Sequence, residues 1–248
     1  MKKLVALIML TATLAFTGCS GKTSDSGTNA TPREQLSLEA EDSPEWVTKL
    51  DQAANAGQLF VVANYGDTTA WVSMHEKDKN GNWKMIMTTP GFVGKNGICA
   101  DEDHAEGCAQ TPVGTYHFTK AFGIADDPGC SMPYTKVTED IYWSGDQRDG
   151  MHYNEMVSIK DYPDLNLADS EHIIEYTYPY QYCLNISFNE EGTPGRGSAI
   201  FLHCFGDRKP YTGGCVSVPM DQMYFIMKHV SPDCVVIIDT LENLGGEF

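Results

Sequence analysis

From Leu59 to Asp239 the chain is broken into short runs rich in Val, Ile, Trp, Met and Phe by turns containing Gly, Asn and Asp, the pattern of strands and tight turns. Leu59 to Asn64, Ala70 to Glu76 and Asn82 to Thr88 are separated by Tyr65-Gly66-Asp67 and Asn80-Gly81, which predicts an antiparallel meander. Further strands are expected over Thr115 to Ala121, Tyr182 to Phe188, Ala199 to His203 and Val235 to Asp239. In the run from Tyr182, residues Tyr182, Leu184, Ile186 and Phe188 alternate with Cys183, Asn185 and Ser187, the period of a half-buried strand.

Two stretches read as helices. Ser43-Pro44-Glu45 supplies a cap, a first-turn proline and an early acid, and Trp46, Leu50 and Ala54 fall on one face before Gly57. Pro219 opens the second, whose Met220, Met223 and Met227 share a face until Ser231-Pro232 stops it; such a stripe is read as core packing. From Asp126 to Ser170 no period is sustained, so a large excursion from the sheet is expected there, a common place for substrate contacts.

The N-terminus reads as an address. Met1, Lys2 and Lys3 precede an apolar stretch from Leu4 to Phe16, too short for a stable membrane span, and residues 1–18 are expected to be a cleaved export signal. Phe16-Thr17-Gly18-Cys19 resembles a lipobox, which makes Cys19 the expected lipidated N-terminus; ordinary secretion with an incidental cysteine is the alternative. Ser20 to Asp42 contains almost nothing apolar and reads, with Cys19, as a flexible tether over residues 19–42. A segment of that length reaches roughly 26 Å. The chain is thus expected exported and lipid-anchored, facing the cell wall or periplasm, with one domain over residues 43–248.

A formal charge of −17 argues against a nucleic-acid partner. Of the eight cysteines, setting aside Cys19 leaves Cys99, Cys108, Cys130, Cys183, Cys204, Cys215 and Cys234, an odd number, so at least one thiol is expected free in an exported chain. Cys99 and Cys108 bracket an acidic insert and are candidates for a local disulfide.

The chemically informative region runs from Ser198 to His203 and then, eleven residues on, to Cys215 within Thr212-Gly213-Gly214-Cys215-Val216-Ser217. A strand ending in His203 presents an imidazole from a rigid element, and a Gly-Gly pair before a cysteine allows a tight turn that exposes the sulfur and its neighbouring N–H groups. Free cysteine ionises only near pH 8.5, so a nucleophilic Cys215 needs a base such as His203. The N–H groups of Gly214 and Cys215 are then candidates for an oxyanion hole. Zinc held by His203, Cys204 and Cys215 is the competing reading, at a spacing that matches no common ligand pattern.

Several stretches from Gln58 to Asp239 resemble, in order, the YkuD-type L,D-transpeptidase catalytic domain. Thr111-Pro112-Val113-Gly114-Thr115-Tyr116-His117-Phe118 is similar to its TPxGxF element, with Ala121-Phe122-Gly123 following. Ser170-Glu171-His172 resembles an SEH element, Gly197 to His203 the strand bearing a catalytic histidine, and Thr212-Gly213-Gly214-Cys215 the S/T-x-G-C nucleophile motif. The resemblance implies a mainly β fold, a β-sandwich of mixed sheets with a few short helices. It implies an acyl-enzyme on Cys215, with attack on the bond between a diamino acid and D-alanine in a peptidoglycan stem tetrapeptide. His203 then moves the proton, and the backbone carbonyl of Cys204 orients its ring. Peptidoglycan stem peptides are the implied partner, the membrane is met only through the N-terminal lipid, and no cofactor or metal is implied.

Ser217 stands where many members carry Arg or Asn, so Arg196, Arg208 and Lys209 are candidates for supplying positive charge. His172 is a candidate for substrate binding or for anchoring the strand that follows it. Cys204 is expected to point away from the site by strand alternation. Three outcomes remain open at this level: transpeptidation by an acceptor amine, hydrolysis of the same acyl-enzyme as an L,D-carboxypeptidase or endopeptidase, and peptidoglycan binding without catalysis.

Overall fold

The computed structural model describes residues 40–206 and 209–247. The export signal, Cys19, most of the tether and Arg208 lie outside the described residues. The strands are β1 (Glu41–Asp42), β2 (Gln58–Asn64), β3 (Thr69–Lys77), β4 (Trp83–Phe92), β5 (Ile98–Cys99), β6 (Thr111–Pro112), β7 (Gly114–Gly123) and β8 (Tyr134–Lys136). They continue as β9 (Ile141–Trp143), β10 (Met156–Ser158), β11 (Glu171–His172), β12 (Cys183–Ile186), β13 (Phe201–Cys204), β14 (Val216–Val218) and β15 (Val235–Thr240). Two α-helices are present among the described residues, α1 (Glu45–Thr48) and α2 (Met220–His229). The fold is mainly β with mixed sheets, in keeping with a YkuD-like β-sandwich.

The principal sheet runs β1-β4-β14-β13-β12-β7-β15-β2-β3 with β8 beside β7, and β3 also pairs along β4, so the path closes on itself. Most neighbours are antiparallel, whereas β13/β14, β15/β2 and β7/β8 are parallel. Inside lie Phe60, Val62, Val72, Met74, Leu184, Leu202, Val216, Val218, Val236 and Ile238, with Met223, Ile226 and Met227 of α2 packed among them. Each of those α2 side chains is fully buried, which contributes about 1.5–3 kcal/mol apiece. The Met stripe is therefore core.

The other face of β2 packs Leu59, Val61 and Ala63 against Val47, Ala53, Leu241 and Leu244. Burial on both faces explains why this strand reads as a continuous apolar run. Strand β12 is also buried on both faces. Phe122, Val137, Trp143, Ile173 and Tyr180, of which Val137 and Trp143 come from the excursion, cover its outer face, so Cys183 to Ile186 are all buried where a half-buried strand was expected. The excursion contributes β9 and β10 to a small sheet, β10-β9-β11.

Other differences have local causes. Ser43 does not cap the opening helix: its hydroxyl bonds Nδ1 of His75 at 2.9 Å and Pro44 takes the cap position, leaving only the four residues of α1 and a 3₁₀ turn at Asp51–Ala54. Ahead of residue 43, Glu41 and Asp42 pair with Met85 and Lys84 of β4. Strand β13 begins at Phe201 because Ala199 has a left-handed backbone, φ 57°. Cys99 and Cys108 are free thiols, so the expected bridge is absent. Burial, followed by the neighbouring Cys108, pushes the Cys99 thiol up to about 11.

Candidate active site

The site grows from the parallel pair β13/β14, in which Leu202 faces Val216 and His203 faces Ser217. Alternation sends Leu202, Cys204, Val216 and Val218 into the interior. Phe201, His203, Cys215 and Ser217 are left on the outer face, beneath the excursion. There Phe201 and Cys215 join the cluster that contains Phe122, Trp143 and Tyr180. Cys215, His203 and Ser217 line one cavity of about 510 Å³, together with Thr212, Gly213 and Gly214.

The loop before the sulfur is tied from two sides. The Thr212 hydroxyl donates to the Cys215 carbonyl at 2.6 Å and accepts the Gly214 N–H at 3.1 Å. The Thr111 hydroxyl donates to the Gly214 carbonyl at 2.7 Å and accepts the Gly94 N–H at 2.9 Å. Of the two glycines only Gly214 is forced: its φ is 146°, and a β-carbon there would lie 3.0 Å from the Gln110 carbonyl oxygen. Gly213 has open space around it. The Gly214 N–H, a candidate oxyanion donor from sequence, is engaged by Thr212 in this state.

Cys215 and His203 are each only 7% exposed, which is what sets their protonation. Burial pushes the Cys215 thiol well above its usual range, the charge of Glu171 pushes it further, and the Phe201 N–H acts the other way. Burial draws His203 down to about 4 against the opposing bond to Cys204. Near neutral pH the cavity therefore holds a thiol and an uncharged imidazole. Sγ donates to the Ala199 carbonyl at 3.1 Å and accepts the Phe201 N–H at 3.3 Å. Nδ1 of His203 lies 2.6 Å from the Cys204 carbonyl oxygen, which fixes the proton on that nitrogen and leaves Nε2 as an acceptor.

Ala199 is itself held. Its N–H donates to Oδ1 of buried Asn154 at 2.9 Å, and Asn154 also accepts from the Trp143 indole and donates to the carbonyls of Phe188 and Asn189. A left-handed alanine costs about 1–2 kcal/mol. Asn154 thus stabilises the carbonyl that receives the Cys215 thiol.

The remaining sequence candidates separate. His172 does not line the cavity: it stacks on Tyr142 with centroids 4.2 Å apart, and its ring nitrogens meet Glu175 Oε1 at 3.0 Å and the Glu139 carbonyl at 2.8 Å. These contacts tie β11 to β9 and to the 3₁₀ turn at Ile173–Glu175 that follows it, where a strand was expected. The adjacent residue faces the site instead, since Glu171 lines the cavity and accepts the Tyr180 hydroxyl at 2.9 Å. The Tyr180 ring meets that of His203 edge-on at 5.3 Å. Alternation along Ser170-Glu171-His172 contained this signal without its phase.

Arg196 is paired with Asp101 and lies over the Phe188 ring, away from the cavity lining. Lys209 does line the cavity. So does His104, whose ring nitrogens are bound to the carbonyls of Arg196 and Gln110. Among the described residues no three His, Cys, Asp or Glu side chains gather as metal ligands.

Residues 60–238 match the model of the YkuD family, the L,D-transpeptidase catalytic domain. The chain belongs to the YkuD L,D-transpeptidase family. A comparison with curated proteins gives no match. Among solved structures, the chain is similar to that of the helical cell shape determining protein Pgp2 from Campylobacter jejuni, at 15% identity and a TM-score of 0.39, over 74% of this chain and 48% of that one. The chain thus aligns with less than half of that protein's length. Membership of the YkuD family makes the cavity on β13 and β14 the place to seek its chemistry.

Proposed function

We propose that the protein is a peptidoglycan L,D-transpeptidase that works through an acyl-enzyme on Cys215. The observation that carries this reading is one cavity holding a buried thiol and a neutral imidazole whose tautomer is fixed by the Cys204 carbonyl. In the reaction, Cys215 turns about its Cα–Cβ bond from the Ala199 carbonyl toward Nε2 of His203 and gives up its proton there. Sγ attacks the carbonyl carbon between the diamino acid and D-alanine of a stem tetrapeptide. As the C–N bond breaks, His203 returns the proton to the departing amine and a thioester remains. An acceptor amine then attacks the thioester, its proton passes through His203 to the thiolate, and a new amide links two stems. General acid–base transfer of this kind contributes about 10²–10⁴-fold in rate.

The Cys215 N–H is the oxyanion donor in this reading, with the Gly214 N–H joining once its bond to Thr212 yields. Ser217, beside His203, completes the wall against which the stem lies.

Incubation of the full chain with muropeptide tetramers, followed by mass analysis, tests the reading. Release of D-alanine and formation of dimers, both absent in Cys215→Ala, are expected. Tripeptides without dimers would make the protein a hydrolase of the same bond, and no acyl-enzyme at all would leave only a binding role. Export and lipid anchoring through Cys19 belong to the same proposal. A fatty-acid label on the wild-type chain that is lost in Cys19→Ala is the expected result.

A further inference from the structure

Glu171 is a carboxyl lining the cavity that also holds Cys215, yet no Lys or Arg salt bridge engages it among the described residues. Its protein partner is the neutral Tyr180 hydroxyl, at 2.9 Å. The other charged residues lining the cavity are Glu106, Asp169 and Lys209. Glu106 is occupied by hydroxyls, those of Tyr153 and Ser198, the latter at 3.0 Å. The Lys209 ammonium lies over the Tyr211 ring at 5.9 Å.

A carboxylate in that position works against the reaction while the cavity is empty, because its charge disfavours the thiolate that Cys215 must become. A cation brought in by the substrate removes that penalty and gives the carboxylate the partner the protein withholds. An anionic or neutral ligand does neither.

Building on the proposed acyl transfer, we propose that Glu171 is a specificity-determining residue that binds the side-chain ammonium of the diamino acid whose carbonyl acylates Cys215. The substrate class is then a stem peptide with a free amine on the residue before the scissile bond. Binding and activation are coupled, since the cation that docks at Glu171 also neutralises the charge opposing ionisation of the thiol.

The probe is a stem tripeptide ending in a diamino acid, which has no scissile bond, compared with the same peptide acetylated on its side-chain amine. Equilibrium binding is measured by calorimetry with the full chain. Wild type is expected to prefer the free amine by about tenfold or more, Glu171→Gln to lose the preference, and Glu171→Asp, which keeps the charge, to retain at least about threefold. A wild type indifferent to acetylation overturns the proposal, and so does a Glu171→Gln protein of unchanged thermal midpoint that keeps the full preference. Should Glu171→Gln fail to fold, a Glu171→Asp protein with no preference overturns it as well. Because this readout needs no turnover, it is separable from the acyl-transfer reading, which fails on the absence of a Cys215 adduct.

Discussion

Nδ1 of His203 faces the carbonyl oxygen of Cys204 at 2.6 Å, so the ring proton is held there and Nε2 is left as an acceptor. In the proposed mechanism main chain does the orienting that a carboxylate does in a Ser-His-Asp triad, and it adds no charge to a buried site. His203→Ala is expected to slow acylation of Cys215 by about 10²–10⁴-fold. Intact-mass kinetics with a peptide donor measure this, and a loss below about tenfold removes His203 from the proton path.

Thr111, in the TPxG element far from Cys215 in sequence, holds the loop before Cys215 by its hydroxyl. Thr111→Val leaves the Gly94 N–H and the Gly214 carbonyl without that partner and is expected to cost about 2 kcal/mol, with acylation slowed about tenfold or more. Thr111→Ser keeps both bonds and should recover most of each loss. Urea midpoints and acylation rates for the three proteins are the measurements.

The two glycines before Cys215 should respond differently. Gly214→Ala puts a β-carbon 3.0 Å from the Gln110 carbonyl oxygen and 3.2 Å from Ile200 Cδ1 at φ 146°, for an expected loss of about 1–3 kcal/mol. Gly213→Ala meets nothing within 4 Å and is expected to stay within about 0.5 kcal/mol of wild type. Equal destabilisation by the two changes would contradict this account of the turn.

The contrast between these glycines shows what the sequence could carry. The motif Thr212-Gly213-Gly214-Cys215 located the loop, but which glycine is obligatory depends on Gln110 and Ile200, which arrive from elsewhere in the fold. The β2-β3-β4 meander was legible because its turns and apolar periods are local. Closure of the sheet on itself was not, since β14 meets β4 at the Ser217/Phe92 pair, between residues distant in sequence. In Ser170-Glu171-His172 the histidine is the residue with many uses, yet the phase of a two-residue strand is set by its pairing with β9, and that turns Glu171 to the cavity. Asn154 and Ala199 carried no local signal, because a left-handed alanine is a consequence of tertiary bonds.

His75 is fully buried between the hydroxyls of Ser43 and Ser73, at 2.9 and 2.7 Å, and burial lowers it to about 4. The unfolded chain, with an ordinary histidine near 6.5, takes up the proton first. Stability is therefore intact above about pH 6.5 and falls as pH drops toward 4, by on the order of 3 kcal/mol for this residue. His203 acts in the same direction, whereas Glu171, raised to about 7, acts in the opposite one. Comparing urea unfolding of wild type and His75→Gln at pH 7 and pH 4.5 isolates the His75 share. The gap between the proteins should change by about 2 kcal/mol over this interval, and a constant gap contradicts a neutral buried imidazole.

Recognition of an ammonium by Glu171 has its own pH signature. Burial raises the carboxyl to about 7, the Tyr180 hydroxyl acts to lower it, and the charge of Glu106 raises it further. Asp169, Tyr176, Lys209, Cys215 and His203 share the cavity. The ionised carboxylate is the binding form, so affinity for the free-amine tripeptide should be flat above pH 7. Below 7 it should fall by up to tenfold per pH unit until the value of the complex is reached. His203, at about 4, titrates too low to produce this bend. The acetylated peptide, and Glu171→Gln with either peptide, should show no bend near 7. A bend that persists in Glu171→Gln assigns the titration to another group and removes Glu171 from substrate recognition.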